Sequence, residues 1–191
     1  MNKPFNLNPC DEYLSDRDYL LHMITHHQVA IDVSIEMQQK SNNPVMHEIL
    51  RELIWTQNRE IMMMKDIFKN LPDKVSSIQP QMNKKYRNTT LDFIKTASDP
   101  NAECNPEFFN PTLHKKHMSH MKLDEKIYLK HMIPHHQIAV DMSKTLLKHT
   151  NNDFMIYFAY RIIRSQQDEI NYMAQLLQNL KGWEWSSDLI K

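Results

Sequence analysis

The chain of 191 residues contains one glycine, two cysteines and no long apolar run. Sheets with tight turns depend on glycine, so this scarcity argues against them and for long helices. No stretch reaches the roughly 18 consecutive apolar residues that span a bilayer. Residues 1–11 also lack the basic start and apolar run of a signal peptide. We expect an all-α protein without membrane insertion, intracellular by default.

The charge pattern gives no sign of a nucleic-acid partner. Acidic and basic residues balance at 23 each, and no stretch concentrates Lys and Arg over aromatic residues. Cys10 and Cys104 lie in loop-like sequence without Cys-x-x-Cys spacing, which predicts neither a disulfide framework nor a zinc knuckle. A homo-oligomer is possible but is not indicated. The composition is instead biased toward Met (14) and His (11), whose side chains bind soft and borderline metals.

The sequence repeats itself. Residues 19–34 return 109 positions later as residues 128–143, with 11 of 16 positions identical. The same offset carries Gln57, Glu60 and Met64 onto Gln166, Glu169 and Met173. The repeating unit is therefore a whole structural module.

Each module is predicted to be an antiparallel helical hairpin. In the first, 12–71, helices over 16–40 and 44–70 flank a turn at Ser41 to Pro44. The second, 123–182, has helices over 123–148 and 153–180, with Gly182 as a C-terminal cap. A crossover linker, 72–122, is expected to hold one short helix around 86–97 and another starting near Pro111. We predict that the two hairpins pack as one four-helix bundle.

A helical wheel places His27 at the centre of the buried face of its helix, together with Met23. His26 lies at the edge of that face, and His22 lies one turn before it. On the next helix, Gln57 takes the centre of the apolar stripe. Counting 15 residues each way from Asn42 brings His27 and Gln57 to one level.

Each hairpin thus carries a polar band across its interior, in which Glu60 and Met64 lie beside Gln57. The second band consists of residues that the repeat supplies: His131, Met132, His135, His136, Gln166, Glu169 and Met173. A buried polar group without a partner costs roughly 1–3 kcal/mol. The bands must therefore be satisfied either by mutual hydrogen bonds, which would make them purely structural, or by a ligand such as a metal ion.

The sequence around the histidine pairs resembles a known family. Met132-Ile133-Pro134-His135-His136-Gln137, followed by Gln166-x-x-Glu169-Ile170-x-x-Met173, is similar to the domain-of-unknown-function family three hundred and five. The resemblance covers both repeats. It implies a ferritin-like four-helix fold and, for some members, copper binding through Met and His. The ligands that it implies here are Met23, His26, His27, Met132, His135 and His136.

The end of the linker is a separate His/Met-rich segment. On a helix, His114, His117 and Met121 would lie along one stripe, with His120 beside it. Thioether and imidazole ligands suit Cu(I), so this stripe could be a secondary metal site. A solvated histidine-rich loop would have the same composition.

Three functions compete. The first is a metal-binding protein, most readily for Cu(I) or Cu(II), that sequesters or handles the ion. The second is a structural or interaction bundle without metal, whose polar band only fixes register. The third is a metal-dependent oxidase of the di-iron type, which needs Glu-x-x-His motifs that this sequence does not contain. No arrangement of a nucleophile with a base and an acid suggests another enzyme, so we expect a non-enzymatic protein.

Overall fold

A computed structural model describes residues 6–71, 103–119 and 122–187. Five α-helices and one short 3-10 helix account for most of these residues. The helices are α1 (Asp16–Lys40), α2 (Pro44–Asn70), α3 (Pro111–Ser119), α4 (Glu125–Leu147) and α5 (Asp153–Ser187), and the 3-10 helix is Pro106–Phe109. No strand occurs in these ranges. The predicted all-α class is confirmed.

Side chains fix where the long helices begin. The Ser15 hydroxyl accepts a hydrogen bond from the backbone N–H of Asp18 at the start of α1. At the start of α2 the Asn43 side chain accepts hydrogen bonds from the backbone N–H groups of Val45 and Met46. Pro44 has no N–H, so the first helical position leaves no donor without a partner. The bounds of α1 and α2 therefore fall where the sequence places them.

Four helices form the bundle. α1 packs along α2 and α4 along α5, so each repeat is an antiparallel hairpin, and the hairpins meet through α1 with α4 and α2 with α5. The ferritin-like four-helix prediction is confirmed. Within the described residues, no helix combines the length and apolar character needed to cross a bilayer.

Two reciprocal hydrogen bonds join the hairpins in the core. The hydroxyls of Tyr19 and Ser143 lie 2.7 Å apart, and those of Ser34 and Tyr128 lie 2.7 Å apart. Each tyrosine and each serine is the repeat equivalent of the other, and all four are buried. Each serine hydroxyl also donates to a carbonyl of its own helix, of Ala30 or Ala139, so the pairs chiefly give the two buried tyrosine hydroxyls a partner. The duplicated sequence thus forms a pseudo-two-fold contact.

The structure differs from the sequence prediction at the cysteines. Cys10 and Cys104 form a disulfide across 94 residues of sequence. The bond joins the segment that leads into α1 to the segment that leads into the 3-10 helix. Spacing alone could not reveal this pairing, because only the packed fold brings the two loops together.

The predicted end of the last helix is also wrong. α5 does not stop before Gly182 but continues to Ser187. Glycine permits the left-handed conformation of a C-terminal cap but does not impose it, so a helix can pass through it at a cost near 1 kcal/mol. The helix predicted over 86–97 lies outside the described residues, whereas the one starting at Pro111 is α3.

We expect the disulfide to contribute substantially to stability. Replacing both cysteines, Cys10→Ser and Cys104→Ser, should lower the free energy of unfolding by roughly 2–4 kcal/mol, because the crosslink closes a long loop in the unfolded chain. Urea unfolding of both proteins measures the difference. Equal stability of oxidised wild type and the double variant would contradict the expectation.

Candidate metal centre

The polar band of the first hairpin is built around a buried hydrogen bond between a histidine and a glutamate. His27 donates its Nε2–H to Oε2 of Glu60 over 2.9 Å, and neither side chain is exposed to solvent. The other oxygen of Glu60 accepts from the Ser165 hydroxyl of α5 at 2.7 Å. The pairing of His27 with Glu60, rather than with Gln57 at the same level, shows that the side chains reach along the helix axis.

The second hairpin repeats this pair but completes it differently. His136 donates from Nδ1 to the carbonyl of Met132 at 2.8 Å, and its Nε2 lies 2.8 Å from Oε2 of Glu169. Both ring nitrogens of His136 are therefore engaged. Glu169 is slightly exposed, whereas Glu60 is fully buried, so the network lies nearer the surface at Glu169.

Gln57 connects the two hairpins at the centre of the bundle. Its amide nitrogen lies 3.2 Å from Nε2 of His136 and 3.5 Å from Oε2 of Glu169. The equivalent Gln166 donates to the same carboxylate oxygen at 3.3 Å. The two predicted bands therefore form one network across the bundle.

His26 and His135 meet where α1 and α4 cross. Their rings are stacked with centroids 3.7 Å apart, and the Nε2–H of His26 is donated to the backbone carbonyl of His135 at 3.1 Å. Both side chains are buried. Burial lowers the pKa of each ring well below the usual value for histidine, and neighbouring imidazoles lower it further. Both rings are therefore neutral at pH 7 and carry lone pairs.

Several of these buried ring nitrogens have no hydrogen-bond partner. They are Nδ1 of His26, Nδ1 of His27, and both nitrogens of His135. His26 and His27 share one arrangement, in which Nε2–H is donated to a carbonyl or a carboxylate while Nδ1 is left with its lone pair. Histidines that bind metals are commonly held in this way, because the donated N–H fixes the ring and its tautomer.

The predicted bands also contain four methionines. Met23 and Met132 come one turn before the histidine pairs, and Met64 and Met173 lie on the partner helices. All four side chains are completely buried. Each is also an ordinary packing residue of the two large apolar clusters of the core, so burial alone does not distinguish a ligand from a filler.

A second group of histidines lies between this centre and the linker. His22 bonds the backbone carbonyl of Asn6 through Nε2 at 2.7 Å, and burial lowers its pKa. Its repeat equivalent, His131, instead pairs with His114 of α3, with the Nε2 atoms 2.8 Å apart. Two phenylalanines of the 3-10 helix also pack against histidine rings. Phe108 contacts His131 with ring centroids 5.0 Å apart, and Phe109 contacts His26, also at 5.0 Å.

The structure thus brings most of the predicted residues together. The six residues that the resemblance implies are all buried. Of the supporting residues, Glu60 bonds His27, and both Gln57 and Glu169 bond His136. Of the predicted stripe along α3, only the side chain of His114 is described, and it pairs with His131 on α4. The side chains of His117, His120 and Met121 lie outside the described residues, so the stripe stays a prediction. Sequence reasoning missed Ser165, Phe108 and Phe109, since none of them belongs to a repeated or metal-binding pattern.

In the described ranges, no three His, Cys, Asp or Glu side chains are grouped as a metal site. The site that the sequence predicts is of a different kind, made of imidazole nitrogens and thioether sulfur, and it stays a prediction. Such low-coordinate soft sites are typical of Cu(I), whereas oxygen-rich sites suit Mn or Mg. Since one of the two His135 nitrogens carries the proton of the neutral ring, the unpartnered nitrogens offer one lone pair on each of His26, His27 and His135.

The lowered pKa values predict acid sensitivity of the metal-free protein. Above about pH 6.5 the two rings are neutral in both folded and unfolded chains and contribute nothing to pH dependence. Below it, the unfolded chain binds protons that the fold excludes, so the free energy of unfolding should fall by up to roughly 1.4 kcal/mol per pH unit for each of His26 and His135.

Urea unfolding between pH 7 and pH 5 measures this slope. The double variant His26→Leu, His135→Leu removes both groups and should show a shallower fall than wild type over the same range. Parallel stability profiles for the two proteins would mean that these rings do not stay neutral in the fold.

The chain matches a protein family and is similar to a curated protein. The model of a family described as "Domain of unknown function (DUF305)" matches residues 6–68 and 78–184. A curated relative, uncharacterized protein L153 of Acanthamoeba polyphaga mimivirus, is 44% identical over 59 residues, which is 31% of this chain. The match spans only 39% of that relative's own length.

Solved structures of the protein CopM are similar over most of the chain. The Cu(II)-bound form is 26% identical with a TM-score of 0.60, covering 87% of this chain and 98% of CopM. The Cu(I)-bound form is 27% identical with a TM-score of 0.59, covering 88% and 99%. The likeness therefore extends over both hairpins and over nearly the whole of CopM.

Proposed function

Because this chain belongs to the DUF305 family, we propose that it is a metal-binding protein that sequesters or handles copper through imidazole and thioether ligands inside its bundle. The observation that carries the proposal is the group of buried ring nitrogens on His26, His27 and His135 that have no hydrogen-bond partner. The overall similarity to CopM, which has been crystallised with Cu(I) and Cu(II), supports the same choice of metal.

The energetic argument favours a ligand over an empty polar core. Each unsatisfied buried polar atom costs roughly 1–3 kcal/mol, and a single metal ion satisfies several lone pairs at once. His26 and His27 already donate their other ring nitrogen to a carbonyl and a carboxylate. These bonds would orient the lone pairs before the ion arrives, so that little rearrangement is needed.

Chemical softness then selects the ion. Met23 and Met132 are the buried sulfur donors nearest in sequence to the histidine pairs, and thioether with neutral imidazole suits Cu(I). Of the six predicted ligands, His136 has both ring nitrogens hydrogen-bonded. We assign it to holding the network, and it would bind copper only by releasing Glu169.

We propose no catalysis. The di-iron arrangement needs carboxylates on all four helices with Glu-x-x-His on two of them, whereas this sequence has no Glu-x-x-His and places one network glutamate in each hairpin. The proposed role is storage or transfer of the ion.

A purely structural bundle is the second candidate, and the hydrogen-bonded half of the network favours it. His136, Glu169, Glu60 and Gln57 bond one another or their neighbours. Buried polar networks of this kind can fix the register of helices without any ligand. In that case the unpartnered nitrogens of His26 and His135 would have no ligand and would only lower the stability of the fold.

The proposed copper site predicts a defined loss of binding. The double variant His26→Leu, His135→Leu should bind at least one Cu(I) fewer per chain than wild type, because it removes two of the three rings that have an unpartnered lone pair. Competition with a chromogenic Cu(I) chelator measures stoichiometry and affinity. Copper should also raise the melting temperature of wild type more than that of the variant.

His47→Gln serves as the matched control, because His47 lies by the turn between α1 and α2 and bonds the Ser41 carbonyl. It should bind as much copper as wild type. Equal Cu(I) binding by wild type and the folded double variant, as checked by circular dichroism, would favour the structural candidate.

We further propose that the protein works in an oxidising compartment, which differs from the intracellular location expected from the sequence. The disulfide between Cys10 and Cys104 supports this, since such bonds are rare where thiols are kept reduced. Alkylation of the protein in its native cells before lysis should label neither cysteine. Labelling of both would place it in a reducing compartment.

A further inference from the structure

We infer that His114 and His131 form a second, outer site for a soft monovalent ion, distinct from the proposed inner centre. The two residues come from different elements, the short linker helix α3 and the bundle helix α4. Their Nε2 atoms face each other at 2.8 Å. Two opposed imidazole nitrogens are the donor set that two-coordinate Cu(I) or Ag(I) takes.

A metal ion can replace the hydrogen bond between the two rings without any change in their total number of protons. At present one ring donates Nε2–H to the lone pair of the other. A neutral imidazole can hold its proton on either nitrogen, so in the tautomer with both protons on Nδ1 the two Nε2 atoms present lone pairs and no proton is lost. The ion then takes the place of the bridging hydrogen.

Only a small movement is needed. Metal–imidazole bonds of about 2 Å require the two nitrogens to separate by roughly 1 Å. α3 is nine residues long and packs on α1 and the 3-10 helix rather than within the four-helix core. A shift of this helix would therefore leave the bundle itself unchanged.

The surroundings of the pair favour a soft ion over a hard one. Phe108 packs edge-on against His131 with ring centroids 5.0 Å apart, and His114 is 98% buried. An apolar wall beside neutral nitrogen donors disfavours strongly hydrated ions such as Mg²⁺ or Ca²⁺, which require oxygen ligands.

The pair also lies next to the inner centre. The ring of His131 is 6.2 Å from that of His135, which stacks on His26. The row of imidazoles thus runs from the linker helix into the bundle. An ion held by His114 and His131 would be one short step from the inner nitrogens.

Silver titration tests the outer site independently of the inner one. Ag(I) binding per chain is measured for wild type, His114→Gln, His131→Gln and the control His47→Gln, with NMR of ¹⁵N-labelled histidine. We expect each of the first two variants to bind one Ag(I) fewer than wild type, and the control to match it. In wild type, silver coupling should appear on Nε2 of both His114 and His131.

The inner variant His26→Leu, His135→Leu separates the two proposals. If this variant keeps silver-coupled Nε2 signals from His114 and His131, the outer site is supported independently of metal binding at the inner centre. Undiminished stoichiometry in both His114→Gln and His131→Gln, or silver coupling confined to other histidines, would overturn the outer site while leaving the inner one to its own test.

Discussion

The whole arrangement depends on the cost of burying imidazole in a helical bundle. A neutral histidine has one donor and one acceptor, and a helix interior offers few partners because its backbone groups are already bonded. In this protein two of the N–H donors find partners: His27 reaches Glu60, and His26 reaches a backbone carbonyl. The second nitrogen of each of these rings, and both nitrogens of His135, do not. These unpartnered nitrogens make the polar core a candidate metal centre.

Duplication explains how such a core can assemble. Two copies of one hairpin, related by a pseudo-two-fold axis, bring equivalent residues face to face, as the reciprocal Tyr19–Ser143 and Ser34–Tyr128 bonds show. The same symmetry stacks His26 on His135. The copies then diverge at the edges, since His22 bonds the N-terminal segment whereas its equivalent His131 bonds the linker helix. Only the second of these two histidines, His131, therefore connects the bundle to the linker helix.

Much of this could be predicted from the sequence because it follows from periodicity. Hydrophobic spacing and the turn at Ser41 to Pro44 predict α1 and α2, and the repeat predicts that the second hairpin copies the first. The inward direction of His27, Gln57 and their equivalents follows from the helical wheel, and these residues are buried.

The remaining features depend on contacts between segments distant in sequence. The disulfide, the cover formed by Phe108 and Phe109, and the pairing of His114 with His131 all require the linker to fold back on the bundle. The choice of Glu60 over Gln57 as partner of His27 depends on side-chain reach of a few ångströms, which a wheel does not resolve. Gly182 failed as a helix end because its conformational freedom allows a stop without requiring one.

The most direct measurement is anomalous diffraction at the copper edge from crystals of the Cu(I)-loaded protein. We expect a peak in the bundle interior at the α1–α4 crossing, within bonding distance of imidazole nitrogens of His26, His27 or His135. A map in which the interior is empty and copper is found only at peripheral histidines such as His47 or His149 would contradict the proposed centre.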